Sequence, residues 1–209
     1  EEFHKVLSTQ LGSFADEVKR ILIEPKGKVV YAGGEDFLGF VTLDYLFEIM
    51  QKMYMLFNEI VNNKLAEFKE DETLTFSAGI IIVHYKMPFN AVLNKLRETE
   101  KVAKNIDSSK NAFALSIFKH SGEVNRTFFK WGNKENITQF FQSIAYLVNT
   151  LTINKFTNTF LKSLQTEFKP LISDSKVDDR KVDKDLIFIE LKRLLIKSYN
   201  KEKFGSSEK

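Results

Sequence analysis

Residues 28–41 constrain this chain more tightly than any other stretch. The apolar run Val29, Val30, Tyr31, Ala32 leads into Gly33, Gly34, Glu35 and Asp36, and a second apolar run of Phe37, Leu38, Phe40 and Val41 follows. A glycine pair between two β-rich runs predicts a tight hairpin, because two-residue loops of the favoured hand need positive φ at one or both positions. Adjacent strand residues point to opposite faces, so Glu35 and Asp36 can share one ion only if the turn rotates one of them. Mg²⁺ takes one or two carboxylates and leaves its other positions to water and phosphate oxygens, an arrangement that a hairpin tip allows. The plain alternative is a turn whose acids merely face water. A chain of this length carries such a tetrapeptide by chance roughly once or twice in a hundred, and the flanking strands make chance less plausible.

The surrounding pattern is mixed. Phe3, Val6, Leu7, Phe14, Val18, Ile21 and Leu22 predict an opening helix, with a break at Pro25 and Gly27. A second helix is expected from Leu43 to about Phe68, with a buried strand from Leu74 to Tyr85 after it. Pro88 opens a further helix through Val102; a strand from Ala112 to Phe118, a turn at Ser121, Gly122 and Glu123, and a short strand near Thr127 to Lys130 come next. Past Trp131 only helical stripes recur: Ile137 to Leu151, Phe156 to Phe168, and Leu186 to Leu195. The expected division is therefore 1–131 for an α+β domain and 132–209 for an all-helical bundle. Residues 173–185 read as a solvated loop, and residues 205–209 as a fraying end.

The order helix, strand, hairpin, strand, helix, strand is the ferredoxin-like βαββαβ plan with its first, central strand missing. The helical pattern runs almost from Glu1, which raises the expectation that a longer polypeptide continues upstream. Charge decides little, since 31 basic against 28 acidic residues leave a net charge of only +3. The absence of cysteine excludes disulfides, thiolate chemistry and Cys-ligated zinc from this stretch, and fits a reducing, cytoplasmic setting. The uncharged run from Asn136 to Asn154 is amphipathic, so no membrane partner is expected, and no secretory leader is read at the start.

The run Gly27-Lys28-Val29-Val30-Tyr31-Ala32-Gly33-Gly34-Glu35-Asp36 resembles the strand and Gly-Gly-Asp-Asp hairpin of the large subunit of CRISPR type III effector complexes, particularly the Cmr-type branch. Leu7-Ser8 and Phe14-Ala15 before it are similar to that family, as are Ser77-Ala78-Gly79-Ile80 leading to His84-Tyr85-Lys86 and Pro88. So are Ala103-Lys104, Lys110-Asn111-Ala112-Phe113-Ala114-Leu115 and Ser121-Gly122-Glu123. These stretches stand in the family's order over about the first 130 residues. Glu35 is a departure, because the family usually has Asp there, and it puts metal distance in question.

The resemblance implies a nucleotide cyclase or polymerase palm that converts ATP to cyclic oligoadenylate by two-metal nucleotidyl transfer. Glu35 and Asp36 would be the catalytic carboxylates and would hold Mg²⁺ or Mn²⁺. Gly33, Gly34, Ser77, Lys104 and Lys110 would meet the nucleotide. The partners implied are the other subunits of a type III complex and, through it, guide RNA and target RNA. Solvated lysines, close packing at Ser77 and Gly79, a structural His84, and Trp131 as a lid over the domain junction are the plainer readings. Two competing functions are a diguanylate-cyclase-like enzyme and a non-catalytic scaffold within the complex.

Overall fold

A computed structural model describes residues 2–67, 73–106, 108–119, 121–157, 159–173 and 184–205. The loop expected at 173–185 lies almost wholly outside the described residues, as does most of the end beyond Gly205. The chain forms two compact units, residues 1–141 and 142–209.

Helix α1 (Glu2–Ile21) opens the first unit and buries Phe14, Ala15 and Val18, one stripe of its apolar pattern. Strands β1 (Gly27–Gly33) and β2 (Asp36–Val41) follow as an antiparallel pair. Helix α2 (Leu46–Phe57), a π-helical turn (Asn58–Asn62) and the short α3 (Asn63–Ala66) occupy the stretch expected as one helix. Strand β3 (Ala78–Ile82), helix α4 (Phe89–Lys104), β4 (Ala112–Phe118) and β5 (Val124–Lys130) complete the α+β part. Pro88 immediately precedes α4, where a missing amide hydrogen costs nothing.

The strands form two separate sheets, β1-β2 and β3-β4-β5, with β3 parallel to β4 and β4 antiparallel to β5. The ferredoxin-like palm plan sets a central strand between such a hairpin and β3, and among the described residues no strand pairs with both. Strand β3 is shorter and less buried than the apolar run from Leu74 to Tyr85 suggests: residues 73–77 lie outside it, and Leu74 pairs with a side chain rather than with a strand. The amide hydrogen of Leu74 donates to Asn62 Oδ1 (2.9 Å) and Asn62 Nδ2 donates to the Leu74 carbonyl (3.0 Å). The π-helical turn ends on that asparagine, and this use of a backbone irregularity has no signature in apolar periodicity.

Two clusters form the core of the first unit. Phe14, Val18, Leu22, Ile49, Met53, Phe57, Val61 and Leu65 join α1 to α2, the π-helical turn and α3. Leu46, Met50, Tyr54, Phe113, Trp131, Ile137 and Phe141 form the second. Trp131 is not a lid but the centre of an aromatic stack: Tyr54 lies at 4.9 Å and Phe76 at 5.6 Å, both nearly parallel, and Phe113 at 4.6 Å. A single tryptophan has no periodicity to announce that place.

Helix α5 (Lys134–Thr152) starts within the first unit, where Ile137 and Phe141 are buried, so the compact units divide beyond the change of pattern near residue 132. The second unit is helical. It comprises the rest of α5, α6 (Phe160–Ser173), α7 (Lys184–Ser198) and α8 (Lys201–Phe204). A bridge pairs Phe156 with Tyr199, and Phe156 stacks on Phe160 at 4.9 Å. Among the described residues no helix is long and apolar enough to cross a membrane.

Candidate functional site

Gly33 pairs with Asp36, which leaves Gly34 and Glu35 as the two-residue loop. Gly34 has φ +59° and no other loop residue has positive φ, the sign combination of a type II′ turn. An added side chain at Gly34 would meet nothing within 4 Å, so the space over the turn is open. Both Glu35 and Asp36 are exposed.

The faces of the hairpin follow from its register. Ala32 pairs with Phe37 and Tyr31 with Leu38, but Val29 pairs with Gly39, so Val30 is a surplus residue in β1. Val29, Phe37 and Val41 pack on the α1 core. Strand alternation then sends Asp36, Leu38 and Phe40 to the opposite face. There the hairpin meets α4: the Phe40 and Phe89 rings lie 6.2 Å apart at the start of that helix.

At the other end of α4 stands Lys104, an exposed side chain whose ammonium is 2.6 Å from Glu100 Oε1. Its pKa is raised above the ordinary lysine value, first by the hydrogen bond it donates to Glu100, against the lowering effect of partial burial. The Glu100 charge adds to it, and so do the charges of Asp36 and Glu35. Both tip carboxylates therefore add, after Glu100, to the field at one ammonium on another element.

Gly33, Gly34, Glu35 and Asp36 thus share the hairpin tip, and Lys104 stands on a separate element where the charges of the tip acids are felt. Ser77 and Lys110 are joined to each other instead. The Ser77 hydroxyl donates to the Lys110 carbonyl, and Lys110 adopts φ +52° in the turn before β4. Among the described residues no hydrogen bond or ion pair links that pair to the hairpin. Gly79 is accounted for by close packing, since a Cβ there would stand 2.6 Å from the backbone nitrogen of Glu100. His84 accepts from the Lys86 amide at 3.3 Å and tilts against Tyr85, in keeping with a structural place in the turn after β3.

The donor set fits a hard divalent cation of the Mg²⁺ type. Two exposed carboxylates at a tip with open space around it can supply one or two oxygens, and phosphate and water can supply the others. No group of three or more acidic or histidine side chains is poised for a metal among the described residues, so a cation here would depend on its substrate.

Residue-by-residue reasoning passed over Glu100. Its only signal is the spacing of four to Lys104, which surface helices carry routinely. It also passed over Glu48, which receives Lys26 and Lys52 at 2.7 Å each and is pulled down to about 2 by those hydrogen bonds. That clamp ties α2 to the turn that enters β1.

A family profile described as Cas10/Cmr2, second palm domain, matches residues 1–114. The CRISPR system Cmr subunit Cmr2 of Pyrococcus furiosus is 31% identical over 133 residues, which are 62% of this chain and 14% of that protein. The chain thus corresponds to a small part of that relative's length. The profile runs from α1 through the hairpin and α4 into β4, more than half of the chain, and takes in every candidate site residue. The chain therefore belongs to the Cas10/Cmr2 family, the Cmr-type large subunit of CRISPR type III effector complexes, and its first unit carries the second palm domain.

Proposed function

We propose that the hairpin tip and the end of α4 form the nucleotide site of a cyclase palm, which works on ATP within a type III complex. The observation that carries the reading is electrostatic. Carboxylates on a turn with open space above it act on the same ammonium, Lys104, from a second element. Such an arrangement presents anions for a metal and a cation for a triphosphate side by side.

Asp36 and Glu35 would hold Mg²⁺ or Mn²⁺, and bound metal would lower the pKa of a hydroxyl and offset charge on the phosphates. Gly33 and Gly34 let the triphosphate approach the backbone. Lys104 would meet its oxygens. Lys110, on the turn that Ser77 braces, would supply a second cation. In the reaction the 3′-oxygen of one ATP bonds to the α-phosphorus of another. The α–β anhydride breaks, pyrophosphate leaves with its electron pair, and the hydroxyl proton passes to solvent. The other subunits of the complex, guide RNA and target RNA are the partners this reading entails, in a cytoplasmic setting.

The test supplies Mg²⁺ and ATP to the assembled complex. Glu35→Ala with Asp36→Ala should cut cyclic product by about a hundredfold or more. Lys110→Ala should weaken ATP affinity and leave folding intact. Unchanged product from the double variant sinks the assignment and favours a scaffold, a reading that Glu35 in place of Asp supports. Product from GTP and not from ATP would favour the diguanylate-cyclase-like alternative.

A further inference from the structure

We propose that the face of β5 that carries Arg126, Phe128 and Lys130 is a contact surface for single-stranded nucleic acid, with phosphates on the two cations and a base on the ring between them. The surface lies on a different sheet from the hairpin and does not depend on the reading of the hairpin as a nucleotide site.

Strand β5 pairs with β4 along all seven of its residues with no break in register, and its outer edge has no strand beside it among the described residues. Alternation therefore gives it two faces, with successive residues on one face about 7 Å apart. Phe129 turns to the core side, against Phe113 at 5.4 Å and Phe140 at 4.9 Å. Arg126, Phe128 and Lys130 turn to the side of α4, because Arg126 pairs with Ser116 and Ser116 meets Thr99 of that helix. All three are exposed, Phe128 at 56%. The β4 partners of Phe128 and Lys130 are Ala114 and Ala112, side chains too short to cover a neighbour. Among the described residues no ring stacks on Phe128.

Exposure alone would describe any solvated strand, but Arg126 is held in place. Its Nε–H donates to Ser116 Oγ at 3.0 Å, Ser116 Oγ stands 2.9 Å from Thr99 Oγ1, and the Thr99 hydroxyl donates to the Lys95 carbonyl at 2.9 Å. Ser116 and Thr99 are fully buried. The chain of contacts fixes the guanidinium through Nε and leaves its terminal nitrogens at the sheet edge, with no ion pair among the described residues. A planar fork anchored in this way has less freedom to lose when it meets a phosphate.

The charge of the surface selects the partner. Strand β5 holds no acid. Glu123, just before it, is bound by Lys119 at 2.9 Å and by Asn125 at 3.1 Å. Lys95 of α4 adds a further cation, 4.2 Å above the ring of Phe118, which pairs with Val124 at the start of β5. An acidic peptide would meet these cations but would leave the bare ring between them without a role. A nucleotide chain brings a phosphate and a flat base in every repeat, and so matches both.

The experiment places a photoreactive ring in the assembled complex, Phe128→benzoylphenylalanine, and irradiates it with a radiolabelled single-stranded oligouridylate. A labelled adduct should form, and Arg126→Ala with Lys130→Ala should cut its yield by about tenfold or more at physiological salt. The slope of log affinity against log salt, read from adduct titrations, should become shallower by about 1.4 as two phosphate contacts are lost. Lys130→Ala alone leaves the links of Arg126 to Ser116 and Thr99 in place and should lower the slope by about 0.7, so a folding defect in Arg126→Ala does not decide the matter. Glu35→Ala with Asp36→Ala should leave the adduct unchanged, whatever it does to cyclic product.

Absence of an oligouridylate adduct would overturn the inference, and so would a salt slope that neither cation changes. An adduct to a protein subunit alone would overturn it in favour of a peptide partner. Loss of the adduct in the hairpin double variant would assign the bound oligonucleotide to the hairpin and overturn it as well.

Discussion

The two units draw on the same kinds of apolar residue but use them differently. In the first unit the stripes of α1 and α2 close on each other and on the sheets, and Val18, Ile49 and Val61 are almost wholly buried. In the second unit the stripes are just as regular, yet Leu161, Leu186 and Ile189 are exposed, Ile189 at 64%. Phe160 and Leu194 are the apolar residues described as buried there. Periodicity reports that an element has an apolar face; burial needs a second face to meet it. The first unit supplies that second face as a sheet with helices on it.

The comparison breaks most easily at the aromatic stack. Trp131→Ala should destabilise the first unit by about 3–5 kcal/mol, because it empties a site that Tyr54, Phe76 and Phe113 line. Urea unfolding followed by circular dichroism measures this, since the variant removes the chain's only tryptophan. A loss below about 1 kcal/mol would show that the stack collapses without cost, and the contrast with the second unit would lose its basis.

A smaller effect should come from the Glu48 clamp. Its carboxyl stands at about 2 in the folded chain against an ordinary 4.5, so its contribution is complete above pH 4.5 and disappears as pH falls towards 2. The carboxylate and both of its lysine partners are open to solvent, which screens the clamp and keeps its contribution small. The stability difference between the chain and Glu48→Gln, measured across that window, should shrink to nothing at its acid end. A difference that persists below pH 2 would assign the effect to packing.

The smallest change is expected in the second unit. Phe188 is 67% exposed, and Phe188→Ala should alter stability by no more than about 0.5 kcal/mol in the same urea experiment. A loss as large as that of Trp131→Ala would erase the distinction between the units.

The elements that carry the candidate site were legible in the sequence. The hairpin announces itself because Gly34 needs positive φ, and α4 because Pro suits a helix's first turn, although Pro88 stands one residue before it. Lys104 came from the family resemblance and from no local pattern. What stayed hidden depends on contacts distant in sequence. The parallel pairing of β3 with β4 leaves no local trace, nor does the docking of Leu74 on Asn62. Gly79 reads as room for a ligand or, more plainly, for another backbone, and the position of Glu100 bears out the plainer reading. Trp131 was misread because one aromatic beside a change of pattern looks like a cover when it is a keystone of the interior.

Val30 shows how little chain can reconcile two demands. Give it a regular place in the ladder while keeping the tip register, and Lys28 rather than Val29 would face the interior beneath α1; keep the root register instead, and Tyr31 would take the inward place now held by Ala32. Because this one residue stands outside the pairing, the same strand can satisfy an oily neighbour at its root and a watery, charged one at its tip.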